Sequence, residues 1–114
     1  WKKLMRVKDM LSSDYTLITE ESTKENEILG IYTTDLLSQA IKNMSEHEML
    51  ITIISHGTTV ALAMMIDLSS IIIAEDKKVS KEMIDKANDA GIAILKTPLK
   101  VYEVVLDLKE RGFI

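Results

Sequence analysis

Residues 49–60, MLITIISHGTTV, join an aliphatic run to a glycine and two threonines that lead into an apolar stretch. The run at residues 49–54 is rich in β-branched isoleucine and has little polar alternation, which is typical of a strand buried on both faces. Residues 58–68 are apolar on nearly every side of a helix. A doubly buried strand followed by a buried helix indicates an α/β domain with a parallel sheet.

Three other aliphatic runs have the same character and lie at residues 28–32, 71–74 and 92–95. The four runs begin at positions 28, 49, 71 and 92, so their starts are 21 or 22 positions apart. That spacing leaves room for one strand, one crossover helix and two turns in each repeat. We therefore predict a three-layer α/β sandwich with a mostly parallel sheet, built from consecutive βα units whose four strands share one direction.

Apolar residues recur at helical spacing in the segment after each run. The helix after residues 71–74 is predicted to end at Gly91, because glycine readily adopts the left-handed conformation that terminates helices. After the fourth run, Thr97 is predicted to cap the final helix. Pro98 is predicted as the first residue of that helix, where the missing N–H of proline is not needed.

The first quarter of the chain is less regular. We predict a short amphipathic helix at residues 7–11, a short strand at 15–18 and a polar, charged loop at 19–26. Because Met5 would make a natural start, we expect residues 1–4 to be an added segment or the end of a longer chain. Residues 1–4 are left out of the site, and residues 1–6 are expected to be an added segment or an extension of the domain.

Composition excludes several classes of protein. The 114 residues, of which 46% are hydrophobic, suit one globular domain over residues 1–114 and exclude disorder. A net charge of −4 with interleaved signs and 4% aromatic residues argues against a nucleic-acid partner. The absence of cysteine excludes disulfides and thiolate metal sites. No apolar run approaches the ~20 residues of a membrane span, and no leader is recognisable, so we expect a cytoplasmic protein without a membrane partner.

Polar residues follow the predicted strands at their carboxyl ends, where parallel α/β sheets bind ligands. Those after the third run are Glu75, Asp76 and Lys77, and the candidate ligand-binding residues after the other runs are Asp35, His56, Gly57, Thr58, Thr59 and Thr97. A glycine and two threonines at a helix start offer free amides and hydroxyls to an anion such as a phosphate, and His56 would add a donor. In the alternative interpretation, Thr58 or Thr59 caps its own helix, and Asp35 caps the preceding one, without any ligand.

The sequence offers little for catalysis or metal binding. His47 and His56 flank one predicted strand, so they are expected at opposite ends of the sheet, with His47 in a solvated turn. The segment from His47 begins like the zinc motif H-E-x-x-H, but Ile51 stands where the second histidine belongs. The glycines fit no phosphate-binding fingerprint. We therefore predict no metal, no cofactor and no enzymatic activity; a small transferase or hydrolase using His56 and Asp35 is the weaker alternative.

Four segments together form a distinctive combination: residues 30–38 (GIYTTDLLS), 50–56 (LITIISH), 60–63 (VALA) and 94–97 (ILKT). This combination resembles the DRTGG domain family. The resemblance extends over residues 7–114, and residues 55–59, SHGTT, stand where the family has its Asp-Arg-Thr-Gly-Gly string. It implies a three-layer α/β unit similar to the amino-terminal domain of HPr kinase/phosphorylase, without the catalytic kinase part. It also implies a regulatory role beside other domains.

Two hypotheses for function follow. The first is a non-catalytic regulatory domain that senses a nucleotide or another small phosphorylated anion at the carboxyl edge of the sheet and forms a homodimer. Self-association is expected because a helix as apolar as residues 58–68 needs cover on its outer face. The alternative is a homo-oligomeric protein-interaction module that binds no small molecule.

Overall fold

The computed structural model describes residues 5–114. Within this range the strands are β1 (Met5–Arg6), β2 (Thr16–Leu17), β3 (Glu27–Ile28), β4 (Ile31–Thr33), β5 (Met49–Thr52), β6 (Ser70–Ile73) and β7 (Ala93–Lys96). The helices are α1 (Val7–Met10), α2 (Leu37–Asn43), α3 (Gly57–Ile66), α4 (Lys81–Ala90) and α5 (Val101–Glu110). A 3₁₀ helix at Glu21–Glu25 occupies part of the predicted polar loop.

The larger sheet has the strand order β2-β7-β6-β5-β4. Strands β4 to β7 are parallel to their neighbours, and β2 is antiparallel to β7. Every residue of β5 and of β6 is buried, as expected for strands covered on both faces. The prediction of a mostly parallel sheet with one shared direction is therefore confirmed.

Helices cover both faces of this sheet. Leu50, Ile71 and Ile73 pack in one core with residues of α2, α3 and α4. Met49, Ile51 and Ile72 point to the other face and pack with residues of α1 and α5. Because β4 to β7 lie side by side in chain order, right-handed crossovers bring the three connecting helices to the same face. The result is the predicted three-layer sandwich, in which no helix of the described part is long and apolar enough to cross a membrane.

The first predicted strand is divided in two. Residues 28–32 were expected to form one strand, but β3 pairs with β1 in a separate antiparallel sheet, and β4 joins the larger sheet. The chain passes between the sheets at Gly30, where an added Cβ would lie 2.5 Å from Glu48 Oε2. Residues 5 and 6, assigned to the extension, thus belong to the fold, whereas residues 1–4 lie outside the described residues.

The final helix begins later than predicted. It starts at Val101, with Lys100 before it, so Thr97 is not the N-cap and Pro98 is not the first helical residue. The carbonyls of Thr97 and Leu99 accept hydrogen bonds from backbone amides in the loop after β6, which hold this segment out of a helix. The Lys100 N–H instead donates to the Glu103 side chain at 3.0 Å, which satisfies a group at the new helix start. Helix α4 ends at Gly91 as predicted, with φ of 71°.

One partly buried hydrogen bond joins residues near the two ends of the described chain. The Tyr15 hydroxyl, in a side chain only 2% exposed, donates to Asp107 Oδ2 at 2.8 Å. The same carboxylate lies 3.4 Å from Arg111 Nη1. Burial, and then the bond to Asp107, raise the pKa of Tyr15 above its ordinary value, because both disfavour the phenolate.

The substitution Tyr15→Phe is expected to lower the free energy of unfolding by about 1 kcal/mol at neutral pH, the typical net contribution of one hydrogen bond. A raised folded-state pKa stabilises the fold fully below the unfolded value of about 10, and this stabilisation declines as the pH rises through the folded value. In urea unfolding, the difference in the free energy of unfolding between wild type and Tyr15→Phe should therefore decrease above pH ~10. A difference that stays constant to higher pH would contradict stabilisation of the fold by the protonated Tyr15 hydroxyl.

Candidate functional site

The amino end of α3 lies at the carboxyl edge of the sheet, directly after β5. The helix begins at Gly57, and His56 before it provides no side-chain cap. His56 and Thr58 are exposed. An α-helix leaves its first N–H groups without intrahelical acceptors, and its amino end carries about half a positive charge. The start of α3 therefore has no side-chain cap, and because the Thr59 N–H donates to the His56 carbonyl at 2.9 Å, the open donors at this edge are the amides of Gly57 and Thr58.

The two threonines differ in their environment. Thr58 is exposed, whereas Thr59 is fully buried and its hydroxyl donates to the Ile54 carbonyl at 2.7 Å. Neither residue is the N-cap, because the helix begins before both of them. The interpretation in which Thr58 or Thr59 caps the helix is thus wrong. The Thr59 hydroxyl fixes the turn between β5 and α3, and the Thr58 side chain is left on the surface.

Neither the backbone conformation nor the packing at position 57 requires a glycine. It has no positive φ, unlike Gly91 and Gly112. A Cβ at this position would have nothing within 4 Å. The space in front of the first turn of α3 is therefore open, and a bound group is able to approach the amides there.

Asp35 lies after β4 and lines a cleft of about 310 Å³ at the same edge. The other lining residues are Thr33, Thr34, Ile53, Glu75 and Val101. Asp35 does not cap α2, since Leu36 precedes that helix and its N–H donates to Thr34 Oγ1 at 2.9 Å. Two exposed carboxylates, from Asp35 and Glu75, make this cleft less favourable for an anion than the start of α3.

Thr97 is buried and organises the loops at this edge. Its hydroxyl accepts a hydrogen bond from the Leu99 N–H at 3.2 Å, and its carbonyl accepts one from the Asp76 N–H at 2.8 Å. The Glu75 N–H donates to the Leu99 carbonyl at 2.9 Å. Glu75 and Asp76 have φ values of 60° and 54°, so the loop after β6 has two successive left-handed residues held by the loop after β7.

The polar residues of the loop after β6 were not among the predicted site residues. Glu75 lines the cleft beside Asp35, and Asp76 pairs with Lys96 at 3.4 Å. Their position directly after a buried aliphatic strand was the available signal. The His56 side chain makes no hydrogen bond or ion pair with another described residue, so no acceptor orients its imidazole as a general base.

No protein-family model matches the chain, and no curated protein sequence matches it. The structure is similar to a crystal structure of the CBS and DRTGG domains of the regulatory region of Clostridium perfringens pyrophosphatase, in complex with the activator diadenosine tetraphosphate. The TM-score is 0.67 and the sequence identity is 17% over 81% of this chain. The chain covers 40% of that structure. The likeness establishes a shared fold.

Gly57, at the start of α3, and Gly91, at the end of α4, should respond in opposite ways to substitution by alanine. Gly57→Ala is expected to raise the free energy of unfolding by about 0.5 kcal/mol, because its backbone suits alanine and its surroundings are open. Gly91→Ala, at φ 71°, is expected to lower it by about 1 kcal/mol. Urea unfolding of both variants measures the difference, and a destabilised Gly57→Ala would mean that the fold itself needs this glycine.

Proposed function

We propose that this chain is a non-catalytic regulatory domain of the DRTGG type that binds a nucleotide or another small phosphorylated anion. In this proposal the phosphate contacts Thr58 and the backbone of His56 and Gly57, at the start of α3. Asp35 lies at the margin of the site, while Thr59 and Thr97 hold the loops in place. We expect the domain to act in the cytoplasm, as the sequence predicts.

The uncapped start of α3 is the observation that carries this proposal. The first helical amides lack a side-chain acceptor, and the surroundings of Gly57 are open. An anion is favoured at such a place by both the free N–H groups and the helix dipole. The exposed Thr58 hydroxyl and His56 ring add two further donors beside the amides.

The distribution of charge suggests how a nucleotide would lie. The cleft at the same edge of the sheet contains the carboxylates of Asp35 and Glu75, which repel phosphate but accept hydrogen bonds from ribose hydroxyls. Ile53, on the loop that joins β5 to α3, lines the same cleft and offers apolar contact. The phosphate would therefore sit at α3 and the sugar in the cleft.

The fold supports a regulatory role and the choice of ligands to test first. The structural neighbour is a regulatory region bound to diadenosine tetraphosphate, and the sequence resembles the same domain family. Nucleotides with several phosphates, together with acyl phosphates and sugar phosphates, are therefore the first panel for a thermal-shift screen. A ligand at a hundred times its dissociation constant should stabilise the fold by about 2.7 kcal/mol.

The variant Thr58→Glu tests the location of the site. A carboxylate in the first turn of a helix stabilises the helix, so the fold should be retained, whereas repulsion should abolish binding of the phosphorylated ligand found in the screen. Isothermal titration calorimetry gives the affinity. Ala61→Glu is the matched control, because Ala61 is exposed on the same helix one turn farther on. Equal affinity in wild type and Thr58→Glu would show that the ligand binds elsewhere.

A second candidate function, assembly without a ligand, is favoured by the outer face of the same helix. Met64 is 53% exposed and Met65 is 70% exposed, and Ile41 on the neighbouring α2 is 50% exposed. These apolar side chains lie on the outer surface of the layer formed by α2, α3 and α4. A second copy of the chain covering this surface would remove them from water.

Met65→Glu is expected to convert a homodimer into a monomer, because a carboxylate buried at an apolar interface lacks a partner. Light scattering at micromolar concentration measures the mass. Leu106→Glu is the control, since Leu106 is 61% exposed but belongs to α5 on the opposite face. A monomeric wild-type protein would remove the assembly hypothesis. Loss of the dimer only in Leu106→Glu would move the interface to α5.

A further inference from the structure

Three potential metal ligands meet at the amino edge of the sheet, the end opposite to the proposed anion site. Glu46 and His47 belong to the loop between α2 and β5, and Asp67 follows α3. One ligand atom from each residue lies within 4.8 Å of the other two. All three side chains are exposed. Among the described residues this is the cluster that combines an imidazole with two carboxylates.

Backbone hydrogen bonds hold the two loops together. The His47 N–H donates to the Asp67 carbonyl at 2.8 Å, and the Ser69 N–H donates to the Glu48 carbonyl at 2.9 Å. The His47 carbonyl in turn accepts from the Leu29 N–H at 2.9 Å. The main chain therefore fixes the positions from which His47 and Asp67 project. A cation binding there would not have to order the loops first.

The electrostatic environment of the cluster favours a cation. Asp67 follows the carboxyl end of α3, which carries about half a negative charge, and the last turn of α3 contains no basic residue. Within residues 5–114, no lysine or arginine forms an ion pair with Glu46 or Asp67. Arg6 lines the adjoining cavity of about 350 Å³, but its guanidinium is bonded to Glu25 and Glu27.

We propose that Glu46, His47 and Asp67 bind a divalent transition-metal cation, with Zn²⁺ as the representative ion. Imidazole nitrogen and carboxylate oxygen are ligands that Zn²⁺ accepts, whereas Ca²⁺ and Mg²⁺ prefer oxygen alone. Because the side chains are exposed, water completes the coordination. The metal would join the loop before β5 to the loop before β6. This site does not depend on the proposed anion site, which lies at the other end of α3.

Titration of the untagged chain with ZnCl₂ tests the proposal. The chain has two histidines and no cysteine, so any imidazole ligand is His47 or His56. The informative variant is His47→Asn, because asparagine tolerates the left-handed φ of 61° found at this position. The matched control is His56→Asn at the opposite edge.

Calorimetry is expected to give one Zn²⁺ per chain, with affinity reduced by more than about tenfold in His47→Asn and in Asp67→Asn and unchanged in His56→Asn. The melting temperature of wild type, and not of His47→Asn, should rise with Zn²⁺. Nitrogen chemical shifts of the His47 ring should change on titration while those of His56 stay constant. Wild type without saturable binding at millimolar ZnCl₂, or His47→Asn with wild-type affinity, would overturn the proposal.

Discussion

The burial of β5 and β6 on both faces is the constraint on which the rest of the structure depends. Their backbone groups cannot reach water, so they must pair in the ladder, in which Leu50 lies beside Ile71 and Ile51 beside Ile72. A slip of one residue would move each side chain to the opposite core. The register is therefore fixed, and it determines the relative positions of the loops at both ends of these strands.

Helix α3 connects these two strands and lies between α2 and α4 in its layer. Its sequence, GTTVALAMMI, contains no charged residue. Neither end of its dipole is neutralised by a side chain of its own first or last turn. The amino end thus favours negative groups at one edge of the sheet, and the carboxyl end favours positive groups at the other. The separation of the two proposed sites follows from this one helix.

Local patterns in the sequence predicted the parts of the fold that depend on local interactions. The isoleucine-rich runs predicted the doubly buried strands, and Gly91 predicted the end of α4. Strand β1 was missed and β3 was merged with β4, because β1 and β3 pair with each other across more than twenty positions of the chain, as Met5 does with Ile28. The start of α5 was misplaced because the carbonyls of Thr97 and Leu99 are bonded to a loop more than twenty positions earlier in the chain.

The distinction between local interactions and contacts between distant residues also applies to the two proposed sites. The sequence identified the carboxyl edge, because each site residue follows a strand directly, but it could not show that Thr59 and Thr97 are buried and bonded to the backbone. The meeting of His47 with Asp67 was not predictable from spacing, since the register between β5 and β6 brings them together. Nothing in the local sequence around His47 indicates Asp67 as its neighbour.

The antiparallel pairing of β2 with β7 has a consequence for synthesis of the protein on the ribosome. Thr16 pairs with Lys96, and the Tyr15 hydroxyl reaches an acceptor 92 positions farther along the chain. Strand β2 therefore remains without its partner until β7 has been translated. The successive βα units of the middle are able to form earlier, because each closes a short loop. The nascent chain would thus complete its larger sheet from the inside, and β2 would join last.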